Sequence, residues 1–256
     1  MGAGAPVHPR GLKKRTGGKE TDVYTDMHSH VIWGVDDGAQ TREETFRMLV
    51  EAAEDGIDTI ICTPHVTPGV YEFPEQIFRD HFEEACEFIQ RKNLYLRLYR
   101  GAEILYTENT PRFLREGKTA TLAGSAYALI EFSPTDTKEH IFNAVQKVAG
   151  AGFRPVLAHM ERYPAIRTLD QVRELKEHFR ALVQINARSL LRKQPLFRRK
   201  FFNGLFQEGL VDFVATDTHA LPGRETCMTE GMNEIEKKFG KKIAEGIEKY
   251  PEVLLQ

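Results

Sequence analysis

From Val23 onward, short apolar, β-rich runs alternate with amphipathic stretches, and this alternation limits the fold more than any other feature. Seven runs stand out: Val23–His28, Thr59–Thr63, Leu94–Ile104, Tyr127–Phe132, Pro155–His159, Leu182–Asn186 and Val211–Thr216. Between them, apolar residues recur at helical spacing. Thr41-x-x-Glu44 makes a capping-box pattern ahead of Phe46, Leu49, Val50 and Ala53. Thr168-x-x-Gln171 repeats the device before Val172 and Leu175, while Ile141, Val145 and Val148 mark another helix. Phe197, Phe201, Leu205 and Phe206 mark a further one. Strands that alternate with helices build a parallel sheet covered by those helices, an α/β fold either open or closed into a barrel.

In such folds, ligands bind at the carboxyl ends of the strands. Six of the seven runs end in, or lead straight into, His, Asp or Glu. The first ends in His28-Ser29-His30, whose alternate imidazoles face one way in extended chain. The second leads to His65, the third to Glu103, the fourth to Glu131 and the fifth to His159. The last run leads to Asp217 and His219, and Asp37 lies in the loop after the first. Any one of these could be a solvent-facing or capping group. Together, carboxylates converging on one barrel mouth would repel unless cations lay among them.

Four carboxylates (Asp37, Glu103, Glu131, Asp217) and five imidazoles (His28, His30, His65, His159, His219) make nine donors. One ion takes about four to six, so nine suit two or three ions. Nitrogen and oxygen donors without thiolate fit Mn, Fe or Zn. Three divalent ions against four carboxylates leave a cationic site that favours an anion. Arg162 follows His159 by three residues and Arg224 follows His219 by five, and guanidinium is the planar fork that matches phosphate oxygens. These features point to a phosphate ester. Asp26, near His28 on the first strand, is a candidate for orienting an imidazole or for a purely structural role. His81, His140 and His178 fall within helical patterns and read as surface residues.

The 256 residues suit one barrel-sized domain or two small ones. Residues 1–21, rich in Gly, Pro and Lys/Arg, read as a disordered basic extension, and residues 22–256 as a single domain. The net charge of −2 makes no general case for nucleic acid or an anionic membrane. No apolar run is long enough to span a bilayer, and no signal-peptide core precedes the first strand. Cys62, Cys86 and Cys227 follow no pairing pattern, as expected of reduced thiols in a cytoplasm. A thiol-based phosphatase would need an arginine six residues after its cysteine; Pro68, Lys92 and Asn233 stand there instead. There is no Walker-type glycine loop.

The stretches HSHVIWGVDDGAQT, TPH, GAEI, IEF, HMERY and DTHALPGR, in this order, resemble the polymerase and histidinol phosphatase (PHP) superfamily. More narrowly, they look like the bacterial metal-dependent protein-tyrosine phosphatases of capsule and exopolysaccharide clusters. The resemblance covers residues 22–240. It implies a distorted (β/α)7 barrel of parallel strands with helices outside, and two or three metal ions, Mn foremost. By position, His28, His30, Glu103 and Asp217 would hold one ion. Glu103 would bridge to a second with Glu131 and His159, and Asp37, His65 and His219 would hold the third. Arg162 and Arg224 would bind the substrate phosphate. The implied substrate is a phosphotyrosine protein, the tyrosine-rich tail of a bacterial tyrosine kinase. A histidinol-phosphatase-like small-molecule phosphomonoesterase, a nuclease and an inert metal-binding or kinase-docking module are the alternatives. Trp33 and Met160 depart from the pattern where Pro and His-Pro-Glu-Arg are usual. The segment Arg192 to Phe202, RKQPLFRRKFF, reads either as an amphipathic helix with a solvated basic face or as a receiver for an acidic tail.

Overall fold

The computed structural model describes residues 23–220 and 222–256. The basic extension expected over residues 1–21 lies outside them. Among the described residues the strand segments are β1 (Tyr24–Ser29), β2 (Ile57–Cys62), β3 (His65–Val66), β4 (Arg97–Arg100), β5 (Glu103–Leu105), β6 (Tyr127–Glu131), β7 (Arg154–Leu157), β8 (Leu182–Asn186) and β9 (Phe213–Ala215). The α-helices are α1 (Arg42–Glu54), α2 (Glu75–Lys92), α3 (Thr110–Arg115), α4 (Lys138–Gly150), α5 (Leu169–Phe179), α6 (Ala187–Leu191), α7 (Leu196–Gln207), α8 (Met228–Phe239) and α9 (Lys241–Lys249).

Every strand pairing is parallel. A three-stranded sheet, β1-β2-β4, joins a curled six-stranded sheet, β3-β5-β6-β7-β8-β9. The second and third expected strands each bend once, which is why seven runs become nine segments. Thr63-Pro64 separates β2 from β3, and Gly101-Ala102 separates β4 from β5. The bends stay in step, because Gly101 N–H donates to the Cys62 carbonyl (2.9 Å) and Glu103 N–H to the Pro64 carbonyl (3.1 Å). A Cβ at Gly101 would lie 2.8 Å from the Ile61 side chain, so glycine allows the two bends to nest.

The remaining seam joins β1 to β9. His30 N–H donates to the Thr218 carbonyl (3.0 Å), and Asp217 N–H to the His28 carbonyl (2.9 Å). The buried Asp26 carboxylate accepts from Thr216 N–H (2.9 Å) and from the Thr216 hydroxyl. Its role is therefore to close the barrel; among its hydrogen bonds none goes to an imidazole ring.

Met27, Ile61, Leu129, Val156, Leu182 and Phe213 fill the interior, and Leu254 of the Tyr250–Leu255 turn joins this cluster. A larger apolar layer lies between strands and helices, with Leu49, Phe88, Ile141, Val172, Leu205 and Ile235 contributed by the helices. Both expected capping boxes form: Thr41 with Glu44, and Thr168 with Gln171. Phe201, Leu205 and Phe206 of α7 are buried, but Phe197, expected on the same face, is 84 % exposed. The helix starts before the surface that covers it.

Asp55, just past α1, caps α8 from a distance. Its carboxylate accepts from Thr226 Oγ1 (2.6 Å), Met228 N–H (2.6 Å) and Thr229 N–H (3.1 Å). Cys227 at the α8 N-cap offers no side-chain cap of its own. Asp55→Ala should lower stability by about 1–2 kcal/mol, read by urea denaturation, without altering the barrel mouth.

Candidate metal centre

The strand ends deliver their polar side chains to one pit. His28 Nε2 lies 3.2 Å from His30 Nε2. Glu103 Oε2 lies 3.1 Å from His28 Nε2, 3.2 Å from His30 Nε2 and 3.1 Å from His65 Nδ1. His159 Nε2 meets Glu103 Oε1 at 2.8 Å and Glu131 Oε1 at 3.5 Å. Asp37 Oδ1 sits 3.3 Å from both His65 Nε2 and His219 Nε2. Asp217 Oδ1 lies 3.7 Å from the Nε2 atoms of His28 and His30. All nine donors named from the sequence thus share one neighbourhood.

The rings are aimed by groups outside the pit. Gln184 Oε1 accepts the His159 backbone N–H (2.7 Å), so that atom is the amide oxygen and His28 Nδ1, 3.1 Å away, donates to it. Gln184 Nε2 in turn donates to Asn186 Oδ1 (2.8 Å), and Asn186 Nδ2 to Asp217 Oδ2 (2.7 Å). His30 Nδ1 pairs with Asp36 Oδ2 at 2.7 Å, and Asp36 also accepts from Gly38 N–H and His65 N–H. His219 Nδ1 faces the Asp217 carbonyl at 3.1 Å. Three rings therefore have Nδ1 occupied and Nε2 turned inward, the arrangement that presents a lone pair to a cation. His159 and Asp217 hold φ values of 31° and 52°, a backbone region that side chains other than glycine enter at a cost.

Electrostatics are correspondingly strong. Burial would raise the Glu103 carboxyl, but the nearby His28 imidazole and the hydrogen bond with His159 hold it well below the usual range. Burial likewise opposes charge on His159, yet Glu103 and Glu131 raise it to about 10. His219 falls to about 4 through burial and the nearby His30 and Arg224. Asp217 is lowered against its burial, foremost by His28.

A metal fits this donor set. Glu103 Oε2, His159 Nδ1 and His219 Nε2 are buried atoms with no hydrogen-bond partner among the described residues. Crowding oxygen against inward-facing nitrogen without hydrogen-bond geometry is what cation ligands do and what a self-satisfied polar network avoids. Three donor groups have spacings that could hold an ion: His30, Asp37, His65 and His219; His28, His30 and Glu103; and His65, Glu103 and Glu131. The first contains the Asp37–His65–His219 set expected from the sequence and adds His30. In the third, His65 stands where His159 was expected.

Both arginines reach the pit through one carboxylate. Arg162 Nη2 lies 2.8 Å from Asp217 Oδ2, and Arg224 Nη2 lies 2.8 Å from Asp217 Oδ1. The Arg224 carbonyl accepts from His219 N–H and the Thr218 hydroxyl, which fixes the loop carrying it. A cleft of about 250 Å³ opens beside Asp37 and His65, walled by Val35, Tyr71, Phe73 and Pro74. The three thiols are reduced, and burial pushes Cys86 and Cys227 up to about 11 and Cys62 well above its ordinary value. None is a ready nucleophile. No described helix is long and apolar enough to cross a membrane.

Residues 24–255 match the family model described as capsular polysaccharide synthesis, CpsB/CapC. The chain belongs to this family. It is 34 % identical over 225 residues to tyrosine-protein phosphatase CpsB of Streptococcus pneumoniae, covering 86 % of this chain and 92 % of that protein. It is 27 % identical over 231 residues to tyrosine-protein phosphatase YwqE of Bacillus subtilis, covering 90 % and 91 %. A crystal structure from work on YwqE and CpsB, described as unique metal-dependent tyrosine phosphatases, superposes with a TM-score of 0.80 at 27 % identity, covering 90 % of this chain and 94 % of that one. A histidinol phosphate phosphatase from Lactococcus lactis superposes at 0.54 with 12 % identity, covering 87 % and 93 %, a likeness of fold alone.

Gln184, Asn186 and Asp36 are the residues that sequence reasoning passed over. His81, expected at the surface, is half-buried: it stacks on Trp33 at 3.9 Å and its Nδ1 meets the Trp33 carbonyl at 2.8 Å. Gln184→Ala should weaken metal binding by about 10–100-fold in a calorimetric titration of metal-free protein, with the circular dichroism of the fold retained.

Proposed function

We propose that this chain is a metal-dependent phosphatase that removes phosphate from phosphotyrosine in proteins. The observation that carries the reading is the convergence of nine nitrogen and oxygen donors beside two arginines, in a chain of the CpsB/CapC family. His28, His30, Asp37, His65, Glu103, Glu131, His159, Asp217 and His219 are the proposed ligands of two or three ions, with manganese first and iron or zinc as alternatives. Such ions supply an activated water and neutralise phosphate oxygens.

The chain's own residues do the rest. Gln184 and Asp36 hold the His28 and His30 rings in position. Arg162 and Arg224, which lie on the Asp217 carboxylate, offer the same charged N–H groups to the phosphoryl oxygens. The Tyr71 and Phe73 wall lies beside Asp37 and His65, where an aromatic leaving group can rest. Tyrosine departs with a reference pKa of about 10, so leaving-group protonation demands less than for a serine ester. Arg162 and Asp37 are 47 % and 62 % exposed, an open rim that suits a residue on a protein better than an enclosed metabolite. The substrate we infer is the tyrosine-rich tail of a bacterial tyrosine kinase in capsule or exopolysaccharide synthesis, met in the cytoplasm.

Phosphate release from a phosphotyrosine peptide should be abolished by chelation, restored by manganese and unaffected by iodoacetamide. Arg162→Ala and Arg224→Ala should each lower kcat/KM by about 100-fold at unchanged metal content. Loss of activity on alkylation but not on chelation would overturn the reading.

A further inference from the structure

The start of α7 is the least economical surface of the molecule. Leu196 and Phe197 are 80 % and 84 % exposed, side by side. Arg192, Lys193, Arg199 and Lys200 surround them in sequence, all exposed, and no ion pair involves any of the four among the described residues. No Asp or Glu occurs between Ala181 and Gln207, although the whole chain carries a net charge of −2. Positive charge and apolar area are thus concentrated in one place.

That place adjoins the candidate centre. Arg198 Nη2 donates to the carbonyls of Tyr163 (3.2 Å) and Ile166 (3.4 Å), just after Arg162. The Ser189 hydroxyl and Asn186 N–H both donate to Glu161 Oε1, just before Arg162. The segment from β8 into α7 is therefore fastened on both sides of the arginine proposed to hold phosphate. Arg198 belongs to that fastening, whereas Arg192, Lys193, Arg199 and Lys200 are left for a partner.

Resting on the phosphatase reading above, we propose that the entry to α7 is a docking surface for an acidic, apolar-containing segment flanking the phosphotyrosine of the substrate protein. Charge complementarity selects the partner: acidic side chains meet the four free cations, and an apolar side chain covers Leu196 and Phe197. Once phosphotyrosine is seated, this second contact is intramolecular, so even weak pairing adds usefully to affinity. A flat anionic membrane would satisfy the same charges but gains nothing from adjacency to Arg162.

The test uses a fourfold charge reversal (R192E, K193E, R199E, K200E) and, separately, Phe197→Ser. Phosphotyrosine peptides flanked by acidic and apolar residues are compared with peptides of the same length whose acids are replaced by Gln, and with p-nitrophenyl phosphate. Binding of the acidic peptide is also followed by fluorescence anisotropy, so that docking is read independently of turnover. The charge reversal should lower kcat/KM for the acidic peptide by about tenfold or more and weaken its binding in parallel. Turnover of the other two substrates should stay within about twofold, and salt should weaken the acidic peptide more steeply than either of them. Phe197→Ser should act in the same direction with an unchanged melting temperature. Equal effects on all substrates, or none on the acidic peptide, would overturn the proposal. So would binding of phosphatidylserine vesicles that the variants abolish while acidic-peptide binding persists. If wild type bound the acidic peptide through these residues but hydrolysed no aryl phosphate, the phosphatase reading would fail and the docking surface would stand.

Discussion

A single amide oxygen organises the barrel mouth. Gln184 Oε1 takes the ring N–H of His28 and the backbone N–H of His159 together, while the same amide reaches Asp217 through Asn186. Three proposed ligands from three different strand ends are thereby tied to one side chain on a fourth. Without such ties, inward-facing imidazoles would be free to turn and satisfy themselves against neighbouring carboxylates. A polar network this deeply buried holds its geometry only when its supporting atoms are paired.

The interior of β8 shows how the barrel makes room for polar chemistry. Leu182 faces the apolar interior cluster, Gln184 lies one alternate position higher, and Asn186 one higher again at the mouth. The change from hydrocarbon to amide occurs over five residues of one strand. The apolar floor excludes water from below, and the amide layer supplies hydrogen bonds without adding net charge to a site already crowded with it.

Much of this was legible in the chain. Strand ends could be found because apolar runs stop abruptly at His, Asp or Glu, and parallel topology sends all those ends to one side. The capping boxes at Thr41 and Thr168 were legible for a similarly local reason. Gln184 and Asn186 were missed because amides carry no charge to mark them; the available signal was two of them on one face of a buried five-residue strand. Asp36 and Asp37 are chain neighbours, and nothing local says which reaches a ring from behind and which from the front. Asp26 depends on Thr216, so its role appears only when the ends of the barrel meet. Helical periodicity placed Phe197 on the apolar face, but periodicity does not reveal where the underlying sheet stops.

The seam between β1 and β9 also bears on how the molecule is made. Asp26 and Thr216 are 190 residues apart. Until the later strand emerges from the ribosome, the earlier one has an open edge and a buried-type carboxylate without its partner. Contacts of such long sequence separation form slowly and leave unpaired edges exposed to other chains. The cavity mouth is therefore among the last parts of the molecule to be assembled, and its cluster of candidate ligands comes into being only as the ring of strands shuts.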